Sequence, residues 1–139
     1  MKIMKIVFFS GTGNTEKMAN LISDGIKSAG KEVELISVES ASLNDVKDEE
    51  IIILGCPAYG DESLESSMDS FVDELDGSIS GKKVALFGSY GWGDGTWMRE
   101  WEDRMKGMGA ILVEEGLIVN EADDDDESSI EFGKKIARL

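Results

Sequence analysis

Met4-Lys5-Ile6-Val7-Phe8-Phe9-Ser10-Gly11-Thr12-Gly13-Asn14-Thr15 is the stretch from which the rest of the chain can be read. Met4–Phe9 is apolar, β-branched and aromatic, which predicts a buried strand. Beyond the turn, Met18, Leu21, Ile22, Gly25, Ile26 and Ala29 recur at the period of an amphipathic helix, predicted over Asn14–Ala29 with Gly30 as its C-cap. A strand thus ends in a hydroxyl- and glycine-rich turn that opens a helix. The first backbone N–H groups of a helix have no intrahelical partner, and the helix dipole favours negative charge there. Gly11 and Gly13 let the backbone wrap closely around an anion, and Ser10, Thr12, Asn14 and Thr15 add side-chain donors. This donor set suits a phosphate monoester with no cation beside it. The competing reading is a plain helix cap by Asn14 or Thr15.

The downstream sequence repeats the alternation. Glu32–Val38 predicts a second strand, and the polar Glu39–Glu50 a connection with a short helical turn around Leu43–Val46. Ile51-Ile52-Ile53-Leu54 is a continuous apolar run, as expected of a strand covered on both faces. It ends in Gly55-Cys56-Pro57-Ala58-Tyr59-Gly60-Asp61-Glu62. Ser66–Leu75 predicts a helix with Met68, Phe71, Val72 and Leu75 on one face. Lys83–Gly88 predicts a strand, followed by Ser89-Tyr90-Gly91-Trp92-Gly93-Asp94-Gly95. Thr96–Met108 predicts a helix that buries Met98, Trp101, Met105 and Met108. Ala110–Val119 predicts a fifth strand, broken or bent near Gly116, and Ala122–Glu127 an acidic loop. Ser128–Leu139 closes the chain with a helix whose candidate buried residues are Ile130, Phe132, Ile136 and Ala137.

Parallel strands require helical crossovers, and these are right-handed. The expected fold is therefore α/β: a doubly wound, five-stranded parallel sheet in the order 2-1-3-4-5, with helices on both faces, forming one domain over residues 4–139. Ligands of such sheets bind beyond the carboxyl ends of the strands, at the switch point. The three glycine-rich loops follow strands one, three and four, which are neighbours in this order.

Composition narrows the function. A formal charge of −15 argues against nucleic acid and anionic membranes, and favours partners with basic docking faces. No apolar run reaches the ~20 residues of a membrane span. No leader pattern opens the chain, so a cytoplasmic location is expected; a monomer is expected as well. The chain has no histidine, which excludes Cys–His catalysis and His-based metal sites, and its one cysteine, Cys56, cannot form an internal disulfide. Met1-Lys2-Ile3 is assigned no function.

Tyr59 and Trp92 each sit beside glycines in loops that converge on one crevice. Two such aromatics can sandwich a flat ring, and a phosphate with a flat ring is a mononucleotide. The dinucleotide fingerprint fails, because Glu16 stands where its third glycine belongs. A phosphoryl-receiver module fails as well, since Ser10 and Gly55 hold the places of its aspartates. The Gly-Lys-Ser/Thr ending of a P-loop is absent.

Together, Ser10–Glu16, Gly55–Glu62 and Gly88–Gly95 resemble the short-chain flavodoxins of the clostridial type, and the similarity runs from Met4 to the last helix. The resemblance implies a flavodoxin-like fold and a low-potential electron carrier rather than an enzyme. FMN would be held without a covalent link, and electrons would pass between redox partner proteins, reductases on one side and low-potential acceptors on the other. It implies that Ser10, Gly11, Thr12, Gly13, Asn14 and Thr15 hold the FMN phosphate, and that Pro57 and Ala58 border the ribityl chain. Tyr59 would cover the inner ring face and Trp92 the outer. Gly60, Asp61 and Glu62 would meet the N5 and N3 edge, and the backbone of Ser89, Tyr90, Gly91, Trp92 and Gly93 the pyrimidine side. Asp94 joins this last loop and, with Asp61 and Glu62, brings carboxylates near the ring. Two points distinguish the chain. Tyr59 stands where methionine is frequent in the clostridial type, and the segment between Leu112 and Val119 has no room for the insertion of long-chain flavodoxins. The rival reading is a small FMN-dependent quinone or azo reductase, a class of usually longer chains.

Overall fold

The computed structural model describes residues 3–9, 13–58, 64–91, 93, 95–120 and 126–139. In chain order the elements are β1 (Ile3–Phe8), α1 (Asn14–Ser28), β2 (Glu32–Ser37), a 3-10 turn (Val38–Ser40), α2 (Leu43–Val46) and β3 (Ile51–Gly55). They continue as α3 (Ser66–Leu75), β4 (Lys83–Tyr90), α4 (Thr96–Gly107), β5 (Ile111–Leu112), β6 (Leu117–Asn120) and α5 (Asp126–Ala137). The strands pair in parallel in the order β2-β1-β3-β4-β5, with β6 also on β4. This is the expected flavodoxin-like α/β arrangement.

Side-chain alternation explains why the central strands read as unbroken apolar runs. Successive residues of a strand face opposite sides of the sheet. Ile6, Ile53, Ala85 and Phe87 pack in one layer with Met18, Ile22 and Ile26 of α1 and Phe132 and Ile136 of α5. Val7, Ile52, Leu54, Val84 and Leu86 pack in the other with Met68, Phe71, Val72 and Leu75 of α3 and Trp97, Met98, Trp101 and Met105 of α4. Each layer needs one set of residues from the same strands, so both faces must be apolar.

Two details depart from the sequence-based expectation, and one bears it out. First, β4 runs two residues past Gly88, because Ser89 and Tyr90 pair with Val119 and Asn120 of β6. Ser89 and Tyr90 are therefore strand residues and not part of a loop. Second, α5 begins at Asp126 rather than Ser128, and Ser129 takes a buried position while Ile130 is half-buried. Residues 122–125 of the predicted acidic loop lie outside the described residues. The fifth strand is broken near Gly116 as expected, into two segments separated by residues 113–116.

The break at the fifth strand has a local cause. The buried carboxylate of Glu102 accepts the Gly116 N–H at 2.6 Å, and Arg99 Nη2 donates to the Gly116 carbonyl at 3.0 Å. Arg99 Nη1 also pairs with Glu102 at 3.1 Å and with Glu115 at 2.5 Å. Side chains of α4 thus take the backbone groups that a ladder would use, and the strand resumes only at Leu117.

Candidate functional site

The carboxyl ends of β1, β3 and β4 lie side by side. At the first, the Phe9 N–H donates to the Gly55 carbonyl at 2.9 Å, and α1 opens with Gly13 as its N-cap. Gly13 is left-handed at φ +96°, where a residue with a Cβ is strained, and nothing lies within 4 Å of where that Cβ would stand. Neither Asn14 nor Thr15 is the cap. Thr15 is instead turned inward and buried, with its Oγ1 2.8 Å from Ser89 Oγ and 3.4 Å from the Ser89 backbone nitrogen, which donates to it. Each hydroxyl carries one proton and two lone pairs, so this contact uses one proton and leaves capacity for a further acceptor.

The second loop leaves β3 along the edge of β4. The Cys56 N–H donates to the Phe87 carbonyl, and the Ala58 N–H to the Ser89 carbonyl, both at 3.0 Å. Ser89 is accordingly the junction of all three segments. Its carbonyl holds Ala58 of the second, its hydroxyl and N–H meet Thr15 of the first, and it begins the third. The second loop ends where the Glu65 carboxylate caps α3, accepting the Ser67 N–H at 2.9 Å and the Met68 N–H at 3.4 Å. Burial pushes the Cys56 thiol up to about 12; a backbone hydrogen bond from Glu65 opposes the rise and the charge of its carboxylate adds to it. Cys56 is therefore a neutral thiol at ordinary pH, without nucleophilic character.

Close approach of backbone explains Gly88. A Cβ there would stand 2.0 Å from the Cys56 carbonyl oxygen and 3.1 Å from Cζ2 of Trp97. Trp97 itself is a residue that periodicity did not single out. It is 2% exposed, its indole N–H donates to the Cys56 carbonyl at 3.3 Å, and its ring lies 5.7 Å from that of Tyr90, tilted by 48°. Its spacing of four from Trp101 was the available signal for a second inward-facing indole.

Of the remaining expected site residues, Asn14, Pro57, Ala58 and Tyr90 are half-buried, and Gly91 and Gly93 exposed. Ser10, Gly11, Thr12, Tyr59, Gly60, Asp61, Glu62, Trp92 and Asp94 lie outside the described residues. The three loop sequences contain no lysine or arginine. Among the described residues no helix is long and apolar enough to cross a membrane.

The fold and the adjoining ends of β1, β3 and β4 define a class: flavodoxin-like α/β proteins, whose ligands bind beyond the carboxyl ends of adjacent strands. Within that class the comparisons are specific. The family model described as flavodoxin matches residues 6–133. A flavodoxin of Clostridium beijerinckii is 57% identical over 138 residues, 98% of this chain and 100% of that protein. A flavodoxin of Megasphaera elsdenii is 44% identical, covering 98% of this chain and 99% of its own. The solution structure of the two-electron reduced Megasphaera elsdenii flavodoxin superposes with a TM-score of 0.90 over 99% of this chain and 100% of that one. The chain belongs to the flavodoxin family, and to its short-chain, clostridial type. Electron transfer is the family's function and FMN its cofactor. The described residues fit that cofactor: neutral donors and a left-handed glycine at a helix start suit a phosphate.

Proposed function

We propose that this chain is a low-potential electron carrier, not an enzyme, acting as a cytoplasmic monomer with one domain over residues 4–139. The three-way junction at Ser89 supports the reading, because it ties the start of α1, through Thr15, and the segment after β3, through Ala58, to the end of β4. Ser10, Gly11, Thr12, Gly13, Asn14 and Thr15 hold the FMN phosphate with neutral donors. Pro57 and Ala58 border the ribityl chain. Tyr59 and Trp92 cover the two ring faces and exclude water. Gly60, Asp61 and Glu62 meet the N5 and N3 edge, and Ser89 and Tyr90 at the end of β4, with Gly91, Trp92, Gly93 and Asp94 beyond it, meet the pyrimidine side.

Bound FMN supplies the one-electron chemistry, and the chain sets its energies. The Gly60 carbonyl would serve as a hydrogen-bond acceptor at the N5 edge of bound FMN, a role whose turn glycine can make without steric penalty. Negative charge added to the ring meets a surrounding of like charge. One unit pair about 10 Å apart is worth roughly 0.4 kcal/mol in water and more where water is excluded. Asp61, Glu62 and Asp94 outweigh the distant part of the −15, which salt screens. This favours a strongly reducing carrier whose partners, reductases and low-potential acceptors, present basic surfaces.

Potentiometric titration of the FMN-loaded protein tests this reading. Two resolved one-electron steps, the second at low potential, are expected. A single two-electron step with turnover of quinones would favour a reductase. Gly60→Ala is expected to lower the first potential by about 40 mV, the equivalent of a strain near 1 kcal/mol in a one-electron couple. FMN should still bind the oxidised variant well. Fluorescence tests Trp92: its emission should be quenched when FMN binds and recover on removal. The apo-minus-holo difference should shrink in Trp92→Phe, since Trp97 and Trp101 remain; an undiminished difference would take Trp92 out of the site.

A further inference from the structure

We propose that Trp97 is a positioning residue for the second flavin loop, acting through the Cys56 carbonyl rather than by any contact with the cofactor. The proposal rests on the FMN reading above.

The geometry comes from a helix start and a loop root that meet over one glycine. Gly95 opens α4, and the Met98 and Arg99 N–H groups bond back to its carbonyl at 3.0 and 3.2 Å. This fixes the first turn, so the Trp97 indole projects inward over Gly88. There it donates to the Cys56 carbonyl in a buried hydrogen bond. Cys56 is the first residue held beyond β3: its N–H is bound to Phe87, and the Ala58 N–H on Ser89 is the second anchor of the loop root. The Ser89 N–H, for its part, is given to Thr15 Oγ1. Trp97 thereby supplies a donor to the loop root from a helix, 41 residues away in sequence. The same ring leans on Tyr90, at the root of the third loop.

A tethered root matters most to what the loop tip does. Gly60 stands four residues beyond Cys56. With FMN bound, a contact of its carbonyl at the N5 edge would be opposed by the entropy of ordering, and a root already fixed would have less freedom left to lose. Oxidised FMN, held by its phosphate and by the two aromatics, draws little on that tether. Removing the indole N–H should therefore weigh on the first electron's uptake and leave the oxidised complex nearly unchanged. A merely structural indole would lower stability without separating these two quantities.

The test compares FMN-loaded wild type with Trp97→Phe, which keeps a ring and loses the donor. Trp101→Phe is the control. Trp101 is equally buried on α4, but its indole nitrogen has no hydrogen-bond partner among the described residues. In Trp97→Phe the first one-electron equilibrium is expected to shift about fivefold against reduction, the usual scale of one buried hydrogen bond. That is about 40 mV at 59 mV per tenfold. The second potential should move less than twofold, and the dissociation constant of oxidised FMN less than threefold. Trp101→Phe should leave both potentials in place.

A folded, yellow Trp97→Phe protein with an unchanged first potential overturns the proposal while the FMN site stands. Should wild type itself fail to retain FMN, the site reading falls and this inference with it. If Trp97→Phe does not fold, 3-benzothienylalanine incorporated at position 97 preserves the bicyclic shape without the N–H. The same fivefold shift is expected there, and its absence is equally decisive.

Discussion

Gly88→Ala is expected to destabilise the protein by about 3 kcal/mol, at the upper end for a methyl forced into packed structure, and to weaken FMN binding in parallel. The added carbon would lie 2.0 Å from the Cys56 carbonyl oxygen, a backbone atom that cannot swing aside as a side-chain end could. Cys56 must lift, and with it the root of the loop that carries Tyr59 and Gly60. Loss of stability then comes from a displaced ladder bond to Phe87, and loss of affinity from a displaced ring-binding loop. Gly107→Ala provides the comparison. It lies at the end of α4 with nothing within 4 Å of the new carbon, and should be neutral or slightly stabilising. Denaturant unfolding of the apoprotein and flavin titration measure the two effects separately. A Gly88→Ala protein with unaltered stability and affinity would show that the close approach does not constrain the loop.

Thr15→Ala should separate the two halves of the cofactor. Hydrogen bonds to a charged group are worth about 1.5–3 kcal/mol, so FMN affinity should fall about 10- to 100-fold at 1.4 kcal/mol per tenfold. Riboflavin has no phosphate, and for it only the lost contact with Ser89 counts. A neutral bond of that kind contributes about 1 kcal/mol, or roughly fivefold. Thr15→Ser, which keeps the hydroxyl, should retain most of the FMN affinity. Equal losses for FMN and riboflavin would remove Thr15 from the phosphate site and leave it the part of a strut between α1 and β4.

Local periodicity carried most of the fold. Met4–Phe9, Ile51–Leu54 and the helix faces through Met18, Met68 and Met98 each announce their own secondary structure, and the alternation then fixes a parallel sheet. The strands that the glycine-rich stretches follow are neighbours, because topology, not detail, puts their ends side by side. What stayed hidden are contacts between distant residues. Nothing near Thr15 announces that its hydroxyl meets Ser89, 74 residues on, and nothing near Trp97 announces the Cys56 carbonyl. Ser89 and Tyr90 read as loop because glycines follow them, whereas their pairing with β6 keeps them in a strand. The interruption of the fifth strand was readable from Gly116, but its cause was not, since Arg99 and Glu102 sit on a helix and look like ordinary surface charges.

That interruption also bears on how the protein behaves towards other copies of itself. An exposed strand edge is a row of unpaired backbone groups on which another chain can add a strand, and this is a common route to aggregation. On the β5–β6 side the row is short and divided, and at its centre the Gly116 N–H and carbonyl already belong to Glu102 and Arg99. On the other side β2 offers Glu32 and Glu34, both exposed, as like charges that repel a second copy. A clamp that breaks a strand inside one molecule thus also blocks the growth of a sheet across several.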